Sequence, residues 1–273
     1  MSSNIQMFIR EGILMMGLTR LKELLDAERF IHVSHLKMLE EYENTIEYRL
    51  IEDGSMWGVL LLLPVASSAF DAVIYPEARY VVYLACSDEQ IIPELLKEIP
   101  NDKDLVFKIH RPIYRDIVGK QFPLIWKRAY LSYSCQSLDP CEDCPDVIKS
   151  ACMDERLLPL WNKNGYAKSD IEKYFAKGAS SFSIYKDNKP ISTCLIFHNC
   201  YDIWEVGAVH TIENERGKGY AKKVVRAALN EILKAGNVPK YQVAHSNLPS
   251  IKLAESLGMV LFLKLEHYYY KAS

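Results

Sequence analysis

One stretch decides the fold: residues 203–233, IWEVGAVHTIENERGKGYAKKVVRAALNEIL. Its first part, Ile203 to Ile212, reads as a strand. In the second part Ala221, Val224, Val225, Ala228, Leu229, Ile232 and Leu233 recur at the spacing of one helix face, the stripe of a helix packed on a sheet. Gly236 and Pro239 end that helix. Between strand and helix lies Arg216-Gly217-Lys218-Gly219-Tyr220-Ala221. Glycines at a helix's first turn let the chain pass close to a ligand, and the N–H groups there point outward with the positive end of the helix dipole. Arg216, Lys218, Lys222, Lys223 and Arg226 crowd positive charge where the dipole opposes it by roughly a few tenths of a kcal/mol, and a bound phosphate reverses that penalty. The segment is an anion cradle. Its plainer reading is a solvated basic helix face behind a flexible turn.

Two common phosphate-binding motifs do not fit. The longer glycine spacing and terminal Lys-Ser/Thr of a Walker loop are missing, and a dinucleotide fingerprint lacks its third glycine and following acidic partner. Twenty-six residues beyond Ala221 comes Asn247-Leu-Pro-Ser250-Ile-Lys-Leu-Ala254-Glu-Ser-Leu257-Gly258-Met259. Asn247 can cap a short helix that tolerates Pro249 in its first turn, and Gly258 supplies a left-handed exit.

With both segments in view, the chain resembles the GNAT N-acetyltransferase superfamily. The signature Arg/Gln-x-x-Gly-x-Gly/Ala is met by Arg216, Gly219 and Ala221, and the Asn247 to Met259 segment is similar to the second family motif, an Asn and a short helix ending in Leu-Gly-Phe. The resemblance implies that Gly217, Lys218, Gly219, Tyr220, Ala221 and Lys222, with Arg216, hold the pyrophosphate of acetyl-CoA. It also implies that Asn247 and Ser250 lie along the pantetheine arm, and that backbone groups of Val209 and Thr211 pair with pantetheine and polarise the thioester. More loosely, the chain is similar to two-part members in which a divergent half precedes the catalytic one. The expected fold class is α/β with a mixed sheet. The expected domains are residues 1–130, an α/β half that the looser resemblance implies is a degenerate GNAT-like one, and residues 131–273, the catalytic half.

Attack of an amine on a thioester needs a deprotonated nitrogen, a polarised carbonyl and often a donor for the leaving thiolate. Glu205 lies eleven residues before Arg216, the spacing at which some members of the family carry a general-base glutamate. Its neighbours Trp204 and Val206 are apolar, so a partly desolvated carboxylate with a raised pKa is expected. A solvent-facing strand carboxylate is the other reading. His198, His210 and His245 are alternative bases. Family members commonly protonate the thiolate with a tyrosine at the position that Ala254 occupies here, so the general acid is unassigned, with Tyr241 and Ser256 as nearby donors. This departure keeps a second function in view, a non-catalytic CoA-binding or regulatory module.

Working outward, Ser132 to Pro145 (SYSCQSLDPCEDCP) is rich in turn formers and acids and is the expected linker. Beyond it, helices are expected around Val147 to Ser150, Arg156 to Trp161 and Ser169 to Phe175, then strands Ser181 to Tyr185 and Ile191 to Phe197. Ahead of it, Arg20 to Tyr42 reads as helical, followed by strands at Tyr48 to Ile51, Trp57 to Leu63, Tyr80 to Leu84 and Leu105 to Ile109, with a helix at Asp88 to Ile99. No internal repeat is visible and this half holds no chemical motif. Cys135, Cys141, Cys144 and Cys152 cluster near the linker, but only Cys141 and Cys144 have ligand spacing, so no metal site is expected.

Composition sets the outer bounds. Among 273 residues, 49% apolar and 25% charged match a globular chain rather than a disordered one. The 33 basic and 35 acidic side chains leave a formal charge of −2, so no nucleic-acid partner is expected. The longest apolar stretch, Met56 to Phe70, contains Pro64 and falls short of the roughly 20 residues that span a bilayer, so no membrane partner is expected either. Seven cysteines without a leader-like N-terminus point to free thiols in the cytoplasm. The reading as a whole is an acetyltransferase that moves an acetyl group from acetyl-CoA to the amine of a small-molecule acceptor.

Overall fold

The computed structural model describes residues 17–138 and 144–272. The chain divides into two compact units, one running to Ala129 and regaining Leu263–Ser273, the other spanning Tyr130–Phe262. The C-terminal strand therefore belongs with the first unit rather than the second. The reason is pairing: Glu266 to Tyr270 run antiparallel to Ile109 to Leu105.

In the first unit strands β1 (Glu47–Asp53), β2 (Met56–Pro64), β3 (Tyr80–Cys86), β4 (Leu105–Ile109) and, from the chain's end, β11 (Val260–Tyr270) lie in the order β1-β2-β3-β4-β11. β1, β2 and β3 are antiparallel, whereas β3 and β4 run parallel over Tyr80 to Tyr83 and Leu105 to Lys108. Helices Ile92–Lys97 and Pro112–Val118 cover one face through Leu95, Phe107, Tyr114 and Phe122. The helical reading of Arg20 to Tyr42 resolves into residues 17–26 and the helix Val33–Glu41.

The second unit has β5 (Ile125–Ser134), β6 (Ile148–Ser150), β7 (Ser180–Lys186), β8 (Lys189–Cys200), β9 (Ile203–Thr211) and β10 (Val238–Ala244), in the order β5-β10-β9-β8-β7-β6. β5 begins five residues before the unit boundary. Two sequence expectations change here. Ile148 to Ser150 is an edge strand on β7 rather than a helix, and Ser132 to Ser134 finish β5 instead of opening a linker. Both errors share a cause: polar and turn-forming residues in these short segments hide strands whose stability comes from a neighbour in the sheet.

The apolar stripe of the helix Tyr220–Lys234 does what its spacing predicts. Val224, Val225, Ala228, Leu229 and Ile232 are buried against Ile196, Val206 and Tyr241 of the sheet. The opposite face is covered by the helices Leu158–Asn162 and Lys168–Ala176, whose Trp161 and Ile171 meet Leu195, Phe197 and Ala208. Helices on both faces of a mixed sheet make this an α/β unit.

Candidate active site

A wedge in the sheet creates the site. β9 and β10 are parallel neighbours for only four residues, Ile203 to Val206 with Val238 to Tyr241. Past that point β10 stays paired on its other side to β5, and β9 to β8. A bulge in β9 accompanies the separation. From Leu195↔Gly207 to Thr193↔His210, β8 advances two residues while β9 advances three. The extra residue is absorbed at Ala208, whose φ of 52° is in the left-handed region that non-glycine residues seldom occupy. Gly207 has to be glycine, because a Cβ there would fall 2.8 Å from both Phe197 Cε1 and Tyr166 Oη. Asn164 Nδ2 donates to the Val209 carbonyl at 2.9 Å and so pins the bulged segment.

The wedge opens into a cleft of about 540 Å3. β9 contributes Val209, His210 and Thr211 to one wall, and Asn247, Pro249, Ser250 and Leu253 form another. The glycine loop and the first helical turn, from Arg216 to Lys222, close one end, with Lys163 and Asn164 also lining the cleft. Every residue expected to bind the donor lies on this cleft except Lys218. The Lys218 ammonium instead donates to Glu215 at 2.8 Å, holding the Glu215 carboxyl below its usual range. The Arg216 Nε donates to the Thr211 carbonyl at 3.2 Å, and the Thr211 hydroxyl shares a 2.8 Å hydrogen bond with Ser192.

The helix start fits an anion. Gly219 is its N-cap at φ 82°, no side chain caps the first turn and no acidic residue lies in it. A Cβ built at Gly217 or Gly219 would meet no protein atom within 4 Å, so both glycines answer to left-handed backbone and open space rather than to packing. The first-turn N–H groups therefore face a cleft carrying Lys163, Arg216 and Lys222, where the sole acid, Glu215, is already paired. Asn247 caps the helix Leu248–Ser256 by accepting from Ser250 N at 3.3 Å while lining the cleft.

Glu205 is placed differently from its sequence expectation. It is desolvated as foreseen, with its side chain 12% exposed, but it is not unpaired. Its Oε2 accepts from Lys240 Nζ at 2.7 Å and from Asn199 Nδ2 at 2.6 Å, and it does not line the cleft. The parallel register sets Lys240 directly beside it, a contact that sequence spacing could not reveal.

His210, one of three alternative bases in the sequence, is on the cleft. Its ring is nearly buried and its Nε2 has no hydrogen-bond partner among the described residues. Burial, with Lys163 and Arg216 nearby, holds its pKa below the ordinary value, so the ring is neutral at pH 7. His245 is exposed, and His198 bonds the Tyr201 carbonyl through Nε2 at 2.9 Å. Ala254 is fully buried in the core and offers no proton. The Ser256 hydroxyl is spent on the Leu253 carbonyl at 2.9 Å. Tyr241 is buried at the apex of the wedge, its pKa pushed up to about 12 by desolvation, with its hydroxyl against Ser250 of the cleft wall. Of the linker cysteines, Cys141 lies outside the described residues, Cys135 is buried and Cys152 exposed.

The family model for GNAT acetyltransferase matches residues 168–268. A GCN5-related N-acetyltransferase from Kribbella flavida superposes with a TM-score of 0.56 at 13% identity, covering 89% of this chain and 96% of its own. A GNAT-family acetyltransferase from Colwellia psychrerythraea gives 0.57 at 12% identity over 82% of this chain and 100% of its own. A tandem GNAT protein from the clavulanic acid biosynthesis pathway gives 0.51 at 10% identity over 88% of each chain. At such identities the structures share the fold with this chain. No curated protein sequence matches it. The segment 168–268 is thus similar in sequence to the GNAT acetyltransferase family, and the chain shares its fold with these structures.

Proposed function

We propose that the second unit transfers an acetyl group from acetyl-CoA to an amine of a small-molecule acceptor by direct attack within a ternary complex. The observation that carries this reading is the junction of two features in one cleft: a wedge between parallel strands, and an uncapped, acid-free helix start at its end. The pyrophosphate would lie on the N–H groups of the Gly219 turn, the pantetheine arm along Val209 to Thr211 and Asn247, and the thioester toward the apex.

The amine nitrogen attacks the carbonyl carbon, the C–S bond breaks, one proton leaves nitrogen and one reaches the departing thiolate. We assign the base to His210 rather than to Glu205. His210 is neutral, borders the cleft and has an Nε2 without a partner among the described residues, whereas Glu205 lies off the cleft with its Oε2 taken by Lys240 and Asn199. Tyr241, through Ser250, is the donor in this reading because it keeps its proton at neutral pH and stands behind the cleft wall.

Thiol release from acetyl-CoA across a panel of amines tests the reading. Turnover with any amine supports it. Tight CoA binding with no turnover on any amine would favour the binding or regulatory module that Ala254 keeps in view.

A further inference from the structure

The turn between the helices Leu158–Asn162 and Lys168–Ala176 grips the bulge of β9 with two side chains that no step of the proposed transfer uses. The turn is itself anchored. The carbonyl of the fully buried Trp161 accepts from Asn164 N at 2.9 Å and from Tyr166 N at 3.4 Å, and the Asn162 carbonyl accepts from Gly165 N at 2.9 Å. Gly165, at φ 84°, makes the left-handed corner between Asn164 and Tyr166, with open space where a Cβ would stand. Exposed Asn164 spends its amide on the Val209 carbonyl at 2.9 Å. The Tyr166 hydroxyl lies against the two residues before Val209. A Cβ on Gly207 would fall 2.8 Å from its Oη, and the Ala208 backbone bonds Oη in the sense that favours the phenolate, so the Ala208 N–H is the donor. The Tyr166 ring meets Tyr174 edge to face at 6.3 Å, a contact phenylalanine would keep, so only the hydroxyl is specific to the bulge.

We propose that Asn164 and Tyr166 are positioning residues: they clamp the Ala208–Val209 backbone and so set where His210 and the Val209 wall stand relative to the bound thioester. The proposal rests on acetyl transfer as the reaction of this cleft and on His210 as its base. A bulge leaves backbone groups outside the ladder, and Ala208 also holds a φ of 52° that a non-glycine residue keeps only when its surroundings impose it. β10 cannot impose it, because its pairing with β9 ends at Val206. The support comes instead from the turn, through one donor to the Val209 carbonyl and one acceptor for the Ala208 N–H. Val209 and His210, the residues that follow the bulged position, are the cleft wall itself. A displacement at the bulge therefore reaches the reacting groups within two residues, and misplacement by about 1 Å can cost roughly 100-fold in rate.

The competing role is stability alone. Tyr166 packs in the small core that includes Trp161, Phe197 and Ala208, and its hydroxyl, once buried, needs a partner whatever the unit does. That role predicts a lower Tm and unaltered kinetics. Asn164 argues against it, since an exposed side chain contributes little to a core and yet its amide is held on the one strand that walls the cleft. His210 supplies a second readout. Its pKa is held down by burial, with Lys163 and Arg216 adding to the effect, so it reports whether the ring has kept its place.

The test uses Tyr166→Phe and Asn164→Ala in the full chain, each removing one hydrogen-bonding group without changing charge. With the best amine of the panel, kcat should fall by about 10–100-fold in each variant. Acetyl-CoA affinity of Tyr166→Phe should stay at the wild-type value, because Tyr166 does not line the cleft. The His210 ring, titrated by nuclear magnetic resonance without any substrate, should move up from its lowered pKa toward 6.5 in both variants as the clamp loosens. Should Tyr166→Phe fail to fold, Asn164→Ala, a change at an exposed position, decides by the same two readouts. Wild-type kcat, an unmoved His210 titration, or a loss that falls wholly on acetyl-CoA affinity in Tyr166→Phe would each overturn the clamp. A wild type that turns over no amine would end the acetyl-transfer reading instead, and the histidine titration would then show whether the clamp stands without it.

Discussion

The two units contain the same strand grammar and use it in opposite ways. Each has a run of antiparallel strands, β1-β2-β3 in one and β6-β7-β8-β9 in the other, leading to a short parallel pair, β3 with β4 and β9 with β10, each pair four residues long. In each a helix joins the parallel strands, and the second of them then pairs with an antiparallel strand. Past the pairing, β9 opens onto the cleft. In the first unit the corresponding groups of β3 are stoppered by side chains: the Cys86 N–H donates to Tyr114 Oη at 3.1 Å, the Tyr114 hydroxyl donates to the Cys86 carbonyl at 3.2 Å, and His35 takes the Leu84 carbonyl. The helix starts differ as sharply. Asp88 caps the 3-10 turn that leads into Ile92–Lys97 by accepting from Gln90 N at 2.9 Å, and Glu89 and Glu94 add charge that repels a phosphate. The comparison teaches that strand order makes a wedge, while side chains at its mouth decide whether it holds a ligand.

What the units share should be costly to break. Each buries a lysine of its parallel pair against a carboxylate, Lys108 with Asp71 at 2.9 Å and Lys240 with Glu205 at 2.7 Å. Lys108→Met or Lys240→Met strands a buried carboxylate, so either should lower unfolding free energy by about 3–5 kcal/mol in denaturant titrations. A loss below about 1 kcal/mol would mean water reaches these pairs and that they are not equivalent core features.

What separates the units should appear in kinetics. His210→Gln should reduce kcat by roughly 100-fold while leaving CoA affinity unchanged. The sign of the pH effect follows from the lowered pKa. The neutral base is complete above the ordinary 6.5 and is lost as pH falls through the lower folded value, so the acidic limb of kcat/KM should lie below 6.5 and vanish in the variant. A drop confined to Glu205→Gln would return the base to that residue.

The smallest effect tests the stopper. Tyr114→Phe leaves the Cys86 N–H and carbonyl without their partner and should cost about 1–3 kcal/mol of stability with no change in acetyl transfer. Altered kinetics in Tyr114→Phe would show that the stoppered wedge takes part in the reaction.

How much of this the sequence discloses depends on the range of the interaction. The helix Tyr220–Lys234, its glycine loop and the Asn247 cap are local patterns, and they were legible because positive φ and one apolar face each leave a residue signature. The ion pair of Glu205 with Lys240 joins residues 35 apart through parallel register, and no spacing rule reports it. The matching topology of the two units was hidden for a similar reason, since strand order leaves no repeated residues. Only the last residues of β5, Ser132 to Ser134, read as linker because they are polar, and the exchange of β11 into the first unit is fixed by its pairing with β4.

Under the proposed function the open wedge binds acetyl-CoA and the stoppered one does not. Isothermal titration of the full chain with acetyl-CoA, repeated on Gly219→Asp with its fold checked by circular dichroism, tests it most directly. One site per chain is expected in the wild type and none in the variant, because a carboxylate at Gly219 would put a side chain and a negative charge where the proposed phosphates lie. Two sites per chain, or a folded Gly219→Asp protein that binds as tightly as wild type, would contradict it.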